Sequence, residues 1–541
     1  MNKKTLVMAA ASIALLGSLL GAAIPSAATT AVGGRHASAG QMPGMRPVPK
    51  AHCGPGDHTE SGLQGQTTVT ERFFNGDSTH AYNCNLQLVG QHTGQGAYSQ
   101  DGPAYAGNCA YYGTDNATSL QKHHGVTVIN ASNPAHPRVT AYLNNTSSAL
   151  TPHETVQTSP RRHLLVVAQF GGPGFAVYGI KDCSHPVLLA NINLPGSQGH
   201  MGAFAPDGRT YYLTQSYRGV GGHLYIVDLS NPSHPRMLPR WTYQGNGRPH
   251  GLQLNPPGFL PGVAGGTLLF AGQPGNVGSG QGGDSGPDGL VIENVSDYQN
   301  RLPNPKIKII STLFWKDQGE AESMIPVTIQ GHPYIVSTDE EGGAGGTLPP
   351  PGGLQGACDR GAAPYGFPQI IDVANVRHPK IIAKLMLQVN DPANCQRLVP
   401  QNFRDYCGGG PCPGTNLFPV AGSLNYSEER CVANNPMNAT MLACSFQNAG
   451  LRVFDIRDPY HPKEIAYYKP GAVRTAFRPS SGSWVPGADR TVDKTASWAR
   501  WRKVGNDWEL WFTSDGNGFQ IVRFSNWFLA HNKSLFQGSG K

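Results

Sequence analysis

The sequence predicts an all-β protein: a seven-bladed β-propeller of four-stranded antiparallel blades, its ring closed by an N-terminal strand. Three observations lead there. A unit of two strands around a Pro-bearing turn recurs along the chain. Charged residues make up only 14%, against roughly 25% in an average globular protein. Gly (69) and Pro (44) are abundant, which suits many short strands joined by turns.

The chain opens as a secretory signal peptide opens. Lys3 and Lys4 precede an apolar run from Leu6 to Ile24, and small residues follow at Ser26, Ala27 and Ala28. A membrane anchor is the competing reading, but Ser12, Gly17, Ser18 and Gly21 interrupt the run. The expected organisation is a signal peptide at 1–28, a partly disordered extension at 29–66, the propeller at 67–528 and a tail at 529–541. No later stretch approaches the roughly 20 apolar residues of a spanning helix. The mature chain is therefore expected to be secreted, periplasmic or at the cell surface, without a transmembrane segment.

The repeating unit begins with Gly and an apolar strand, turns through Asp or Asn and Pro, and ends in a second strand. Copies are HGVTVINASNPAHPRVTAYL from His124, GFAVYGIKDCSHPVLLANINL from Gly174 and GHLYIVDLSNPSHPRMLPRWTY from Gly222. They continue with GLVIENVSDYQNRLPNPKIKII from Gly289, GFPQIIDVANVRHPKIIAKLML from Gly366 and GLRVFDIRDPYHPKEIAYY from Gly450. A half copy, GFQIVRFSNW, starts at Gly518. The strands are alternating or β-branched, and Pro in the turn blocks further ladder pairing.

The stretches LYIVDLSNPSHP and LRVFDIRDPYHP resemble the LVIVD repeat of bacterial exported propeller proteins. The resemblance implies the fold and says almost nothing about activity. Between copies lie two further strands per blade, for example GHMGAFAPDGRTYYLTQ and AESMIPVTIQGHPYIVSTD. Each blade then reads A, B, C, D from the axis outward, with the repeat motif forming C and D. The last copy lacks a D strand, and the segment Thr67 to Phe74 resembles one. Thr68 to Phe74 is expected to pair with Phe519 to Phe524, with NCNLQLVG following as the A strand of the first blade.

The long insertions are Gly262 to Asp288, Gly342 to Tyr365, Gln388 to Ser423 and Lys469 to Ser497. All are B–C or D–A loops, so all fall on one face, and loops of that length are usually functional or disordered. The ten Cys read as disulfides of an exported chain. Strand placement pairs Cys84 with Cys109 and Cys431 with Cys444, and Cys183, in a C–D turn on the side where the N-terminal segment approaches, is expected to pair with Cys53. Cys358, Cys395, Cys407 and Cys412 would staple the insertions. The CGGGPC stretch lacks a second pair that would make it a metal knuckle.

The His-Pro pairs at His136, His185, His234, His378 and His461 mark structural turns spread around the ring. The residues leading into the inner strands are the sharper set: His153, His200, His250, Glu322 and Glu428, with His80 as the first-blade counterpart. Inner strands line the axis, so these side chains are placed to meet at its loop-bearing mouth. Imidazole and carboxylate there would hold one transition metal ion; the competing reading is a polar, water-filled channel. Trp484, Trp498, Trp501, Trp508 and Trp511 read as packing between blades or as a carbohydrate platform. There is no G-x-S-x-G elbow, H-E-x-x-H or phosphate loop. A formal charge of +7 with scattered basic residues does not suggest nucleic acid. The expected function is a binding or scaffold module that takes a protein or small extracellular ligand on its loop-rich face. The alternative is a metal-dependent oxidase or hydrolase working at the channel mouth.

Overall fold

The computed structural model describes residues 46–536 apart from 69, 72–74, 94–101, 114–122, 216–221, 244–248, 274–287, 341, 345–352, 400–425, 473–493, 496, 506 and 515–516. Seven antiparallel sheets make up the ring. Blade one is Ala104–Ala106, Cys109–Tyr112, Val126–Asn130 and Arg138–Leu143, from inner to outer strand. Blade two runs from Gln157–Ser159 to Val187–Asn193, and blade three from Gly199–Phe204 outward to Arg236–Met237 and Trp241–Thr242, an outer strand in two pieces. Blade four runs from Leu252–Leu254 to Lys308–Trp315, and blade five from Ala321–Ile329 to Lys380–Lys384. Blade six runs from Arg430–Ala433 to Lys463–Lys469 and carries Tyr82–Cys84 as a fifth strand.

The apolar residues explain the ring. Side chains in a strand alternate between faces, and each blade has a neighbour on both faces, so its middle strands must be apolar throughout. In blade two, Leu165 and Val167 pack with Val126, Val128 and Tyr111 of blade one. Leu164, Val166 and Ala168, the alternate positions of the same strand, pack with Tyr211, Leu213 and Tyr225 of blade three. The same division repeats around the ring. Its last core joins Trp511, Phe519 and Ile521 of blade seven to Ala110, Tyr112 and Ile129 of blade one.

Blade seven is built from both ends of the chain. Arg500–Val504, Asp507–Ser514 and Gly518–Phe524 come from the C-terminal part, and Leu86–His92 is its outer strand. The pairing strand is therefore not Thr68 to Phe74. Thr70 and Glu71 lie in a helical turn; Val69 and 72–74 lie outside the described residues. The Glu71 carboxylate explains the turn. It accepts from the Thr68 backbone N–H at 2.6 Å and hydroxyl at 2.7 Å, and from the Tyr82 hydroxyl at 2.9 Å. Such a side-chain-to-backbone bond offers the chain an alternative to a sheet ladder.

NCNLQLVG is likewise not the inner strand of blade one. It divides at Asn85, whose φ of 61° is left-handed. Tyr82–Cys84 edges blade six and Leu86–His92 edges blade seven, so the chain steps between blades at this residue. Asn85 is buried, and its amide donates to the carbonyls of His52 and Ile465, both at 2.8 Å. The carbonyls left at the step are thus satisfied.

This shift rewrites two disulfides. The bonds are Cys53–Cys84 and Cys109–Cys183, in place of Cys84–Cys109 and Cys53–Cys183. With Cys84 on blade six, its neighbour is the N-terminal segment from Arg46, and Cys109 faces the C–D turn of blade two. Cys431–Cys444 forms across directly paired residues of blade six, and Cys358–Cys395 joins two loop helices. Cys407 and Cys412 lie outside the described residues. Four disulfides fit an extracellular or periplasmic protein. Among the described residues no helix is long and apolar enough to cross a membrane.

The segment from Arg46 to Gln66 lies against blade six. Glu60 pairs there with Arg452 at 2.7 Å and Lys469 at 3.7 Å. Burial opposes ionisation of Glu60, but Arg452 and Lys469 hold its carboxyl below the usual range. At the other end, Phe528, Leu535 and Phe536 of the C-terminal helices cover the core between blades six and seven.

Candidate functional site

Glu154, His200, His250 and Glu322 lie where the inner strands of blades two to five begin. Two of them are aimed by β-bulges. In blade three Gly199 pairs with Gln215 and Gly202 with Leu213, so His200 and Met201 share one extra position. In blade five Ala321 pairs with Asp339 and Met324 with Ser337, which puts Glu322 and Ser323 in the same situation. A bulge interrupts ladder bonding and redirects a side chain. Here a threonine on the second strand takes up the interrupted bonds. Thr214 Oγ1 accepts from the Met201 N–H at 3.0 Å, and Thr338 Oγ1 accepts from the Ser323 N–H at 2.8 Å. Between these blades the Gly251 N–H donates to the Glu322 carbonyl at 3.1 Å. A Cβ on Gly251 or Gly272 would collide with that carbonyl, so glycine is required for the close approach.

Two histidines meet at this end. The rings of His200 and His250 stand edge to face with centroids 4.7 Å apart. His200 Nδ1 lies 3.3 Å from Glu154 Oε2, and Phe170 packs edge-on against the same ring at 5.5 Å. His250 has a carboxylate at each ring nitrogen: Glu320 Oε1 is 3.7 Å from Nδ1 and Glu340 Oε2 is 3.8 Å from Nε2. One donor atom each from Glu154, His200 and His250 lies within 4.8 Å of the others, and the same holds for His250, Glu320 and Glu340. Glu154, His200, His250 and Glu320 are buried, whereas the Glu340 side chain is 34% exposed and marks the side open to solvent.

Arg430, fully buried at the start of the inner strand of blade six, pairs with both Glu154 and Glu322. It also donates to the Glu429 carbonyl at 2.9 Å, and its guanidinium lies over Trp498 at 5.4 Å. The mouth therefore gathers Glu154, Glu320, Glu322 and Glu340, two imidazoles and one guanidinium.

The residues of the sequence-derived set take different places. His200 and His250 come together. Glu322 is at the mouth, but as a partner of Arg430. The His153 side chain lies outside the described residues; its backbone begins the turn His153–Thr155, and the next residue, Glu154, reaches the cluster. Glu428 is elsewhere. It bridges to Asp339 through the backbone, and its Oε1 lies 3.2 Å from Cys431 Sγ. Burial and the charge of Asp339 push its carboxyl well above the usual range. His80 is exposed beside the N-terminal turn, away from any inner strand. Sequence reasoning missed Glu154, Glu320, Glu340 and Arg430. An acid within two residues of a chosen position, in HET and GEAES, is the pattern that points to two of them, Glu154 and Glu320. Of the tryptophans, Trp501, Trp508 and Trp511 are buried between blades, and Trp484 lies outside the described residues.

Residues 217–242 match the LVIVD repeat. No curated protein matches the chain in sequence. Among solved structures the chain is similar to hydrazine synthase of Kuenenia stuttgartiensis, at 12% identity and a TM-score of 0.45, over 81% of this chain and 96% of that one. It is also similar to the β-propeller domain of a Myceliophteria thermophila protein, at 10% identity and a TM-score of 0.45, over 81% and 100% of the two chains. A third similar structure is a protein from Lactobacillus plantarum, at 10% identity and a TM-score of 0.41, over 68% and 87%. The chain is a seven-bladed β-propeller that carries an LVIVD repeat, consistent with LVIVD-repeat propeller proteins.

Proposed function

We propose that the protein is an exported binding module that receives a cationic ligand at the loop-bearing mouth of its ring. The observation that carries this reading is the gathering of Glu154, Glu320, Glu322 and Glu340 around His200 and His250, with Arg430 as the guanidinium among them. Carboxylates held together under low-dielectric walls focus a negative potential and favour a positive occupant. The same acidity argues against nucleic acid as the partner. A protein or small extracellular ligand would approach through the insertions, of which 274–287, 345–352, 400–425 and 473–493 lie outside the described residues. Export through a cleaved leader at 1–28 is part of the proposal and also falls outside them.

Thermal unfolding of the secreted chain tests this reading. The probes are Zn²⁺, Mn²⁺, Ca²⁺, spermidine and choline, with phosphate and citrate as anionic controls. A cation present at a hundredfold excess over its Kd stabilises the folded chain by about 2.7 kcal/mol. We expect at least one cation to raise the Tm and the rise to disappear in Glu320→Gln/Glu340→Gln. No cation effect, or one that the double variant retains, removes the reading.

A further inference from the structure

We infer that His200, His250 and Glu154 hold one divalent transition-metal ion of the Zn²⁺ class, with Glu320 and Glu340 as outer carboxylates on His250. This rests on the reading that the mouth binds a cation, and it names the cation.

The donor set argues for the class. Two imidazoles and one carboxylate suit Zn²⁺ and its neighbours, whereas Mg²⁺ and Ca²⁺ take all-oxygen sites. The three donors come from the lead-in to the inner strands of three consecutive blades, so the ring itself fixes their convergence. Two ligands each about 2.1 Å from a tetrahedral ion stand roughly 3.4 Å apart. His200 Nδ1 and Glu154 Oε2 are 3.3 Å apart.

The surroundings argue for the same site. Glu154 is oriented by Arg430, which pairs with Oε1 while Oε2 faces His200. A ligating histidine characteristically donates its other ring N–H to a carboxylate, which fixes tautomer and ring plane. His250 has a carboxylate near each nitrogen, so either nitrogen can face the ion while the other is held. The bulge re-aims His200, and the glycines at 251 and 272 let the backbone beside His250 pack directly on the Glu322 carbonyl. Three protein ligands leave a position for water or a further ligand. The competing occupant is a proton shared between His200 and Glu154, with no ion.

The test uses the full secreted chain without a histidine tag, stripped with EDTA and reloaded with Zn²⁺ or Co²⁺. Metal content is measured by mass spectrometry, and Co²⁺ geometry by visible absorption. We expect one equivalent per chain and the absorption of four- or five-coordinate Co²⁺. His200→Ala and His250→Ala should each abolish stoichiometric binding. Glu320→Gln should weaken it by about 10–100-fold. His461→Ala, on an exposed turn, should leave it unchanged. Intact disulfide pairs and an unshifted melt of the metal-stripped protein certify each variant's fold, and His250→Gln replaces any variant that fails this. A folded wild-type chain that takes up neither ion, or a His200→Ala/His250→Ala chain that still does, overturns the inference. If spermidine stabilises through Glu320 and Glu340 while neither metal binds, the metal assignment fails and the cation-binding reading stands. If no cation binds, both fail.

Discussion

Arg430 decides how much charge the mouth carries, because it is buried between Glu154 and Glu322. Removing one partner of a buried ion pair leaves the others desolvated and uncompensated, at about 3–5 kcal/mol. Arg430→Met should therefore lower the unfolding free energy by that amount in urea, and adding Glu154→Gln with Glu322→Gln should recover much of it. Equal loss in the triple variant would show that Arg430 acts through packing on Trp498 instead. A second carboxyl, Glu293, sits fully buried between blades three and four and accepts from the Tyr243 hydroxyl at 2.9 Å. Burial pushes it up to about 8, with the Tyr243 hydrogen bond pulling the other way. The folded chain then keeps a proton that the unfolded chain releases above its ordinary value of 4.5. Stability should fall as pH rises from 4.5 to about 8, by at most about 1.4 kcal/mol per unit, and level off above. Glu293→Gln should flatten that window in unfolding measured across pH; an unchanged slope assigns it to other groups. At this scale the sequence revealed His200 and His250, because both immediately precede or begin a recognisable inner strand. It hid Glu154, which arrives on a 3-10 turn one residue past His153, and Arg430, two residues after Glu428, because turn phase and strand register are tertiary properties.

The third and outer strands of the blades were legible element by element, since each copy carries its own apolar strands and Pro turn. The elements joining the two ends of the chain were harder to read. TTVTERFF alternates as a strand does, yet Thr68 and Glu71 close a local turn through one carboxylate. NCNLQLVG reads as one strand, yet Asn85 divides it between blades six and seven. Asparagine tolerates the left-handed region better than most residues, so the break was permitted by the sequence without being demanded by it. Gly90 shows the same strand under tertiary constraint: a Cβ there would collide with the Pro134 carbonyl in the C–D turn of blade one. The outer strand of blade seven is thus fitted to the next blade as well as to its own sheet. The disulfide expectations failed for the same reason as the strand expectations. They assumed that Cys84 sat on blade one, and only Cys431–Cys444, within one well-marked hairpin, was independent of that assumption.

At the scale of the whole ring, stability depends on contacts between blades, since each core is shared by two neighbours. Three of the disulfides act on this arrangement to different degrees. Cys431–Cys444 spans 13 residues within blade six, Cys53–Cys84 spans 31 and ties the N-terminal segment to that blade, and Cys109–Cys183 spans 74 and joins blades one and two. A cross-link restricts the unfolded chain more as the closed loop lengthens, giving about 3, 3.7 and 4.5 kcal/mol for the three loops. Cys109–Cys183 has a second role, because it ties blade one, which packs on blade seven, to blade two. Without it, blade one is held to blade two by their shared core and by hydrogen bonds such as Tyr111 to the Cys183 carbonyl at 2.8 Å and Thr158 to the Tyr105 carbonyl at 2.7 Å. The three Cys→Ala pair variants should therefore rank in that order in chemical unfolding, with Cys109→Ala/Cys183→Ala the most destabilised. It should also be the first to lose a single cooperative transition, read as divergence between tryptophan fluorescence, weighted toward blade seven by Trp501, Trp508 and Trp511, and far-ultraviolet dichroism, which reports all blades. A Cys431→Ala/Cys444→Ala chain less stable than the Cys109→Ala/Cys183→Ala chain would show that local strand geometry outweighs the closure of the ring.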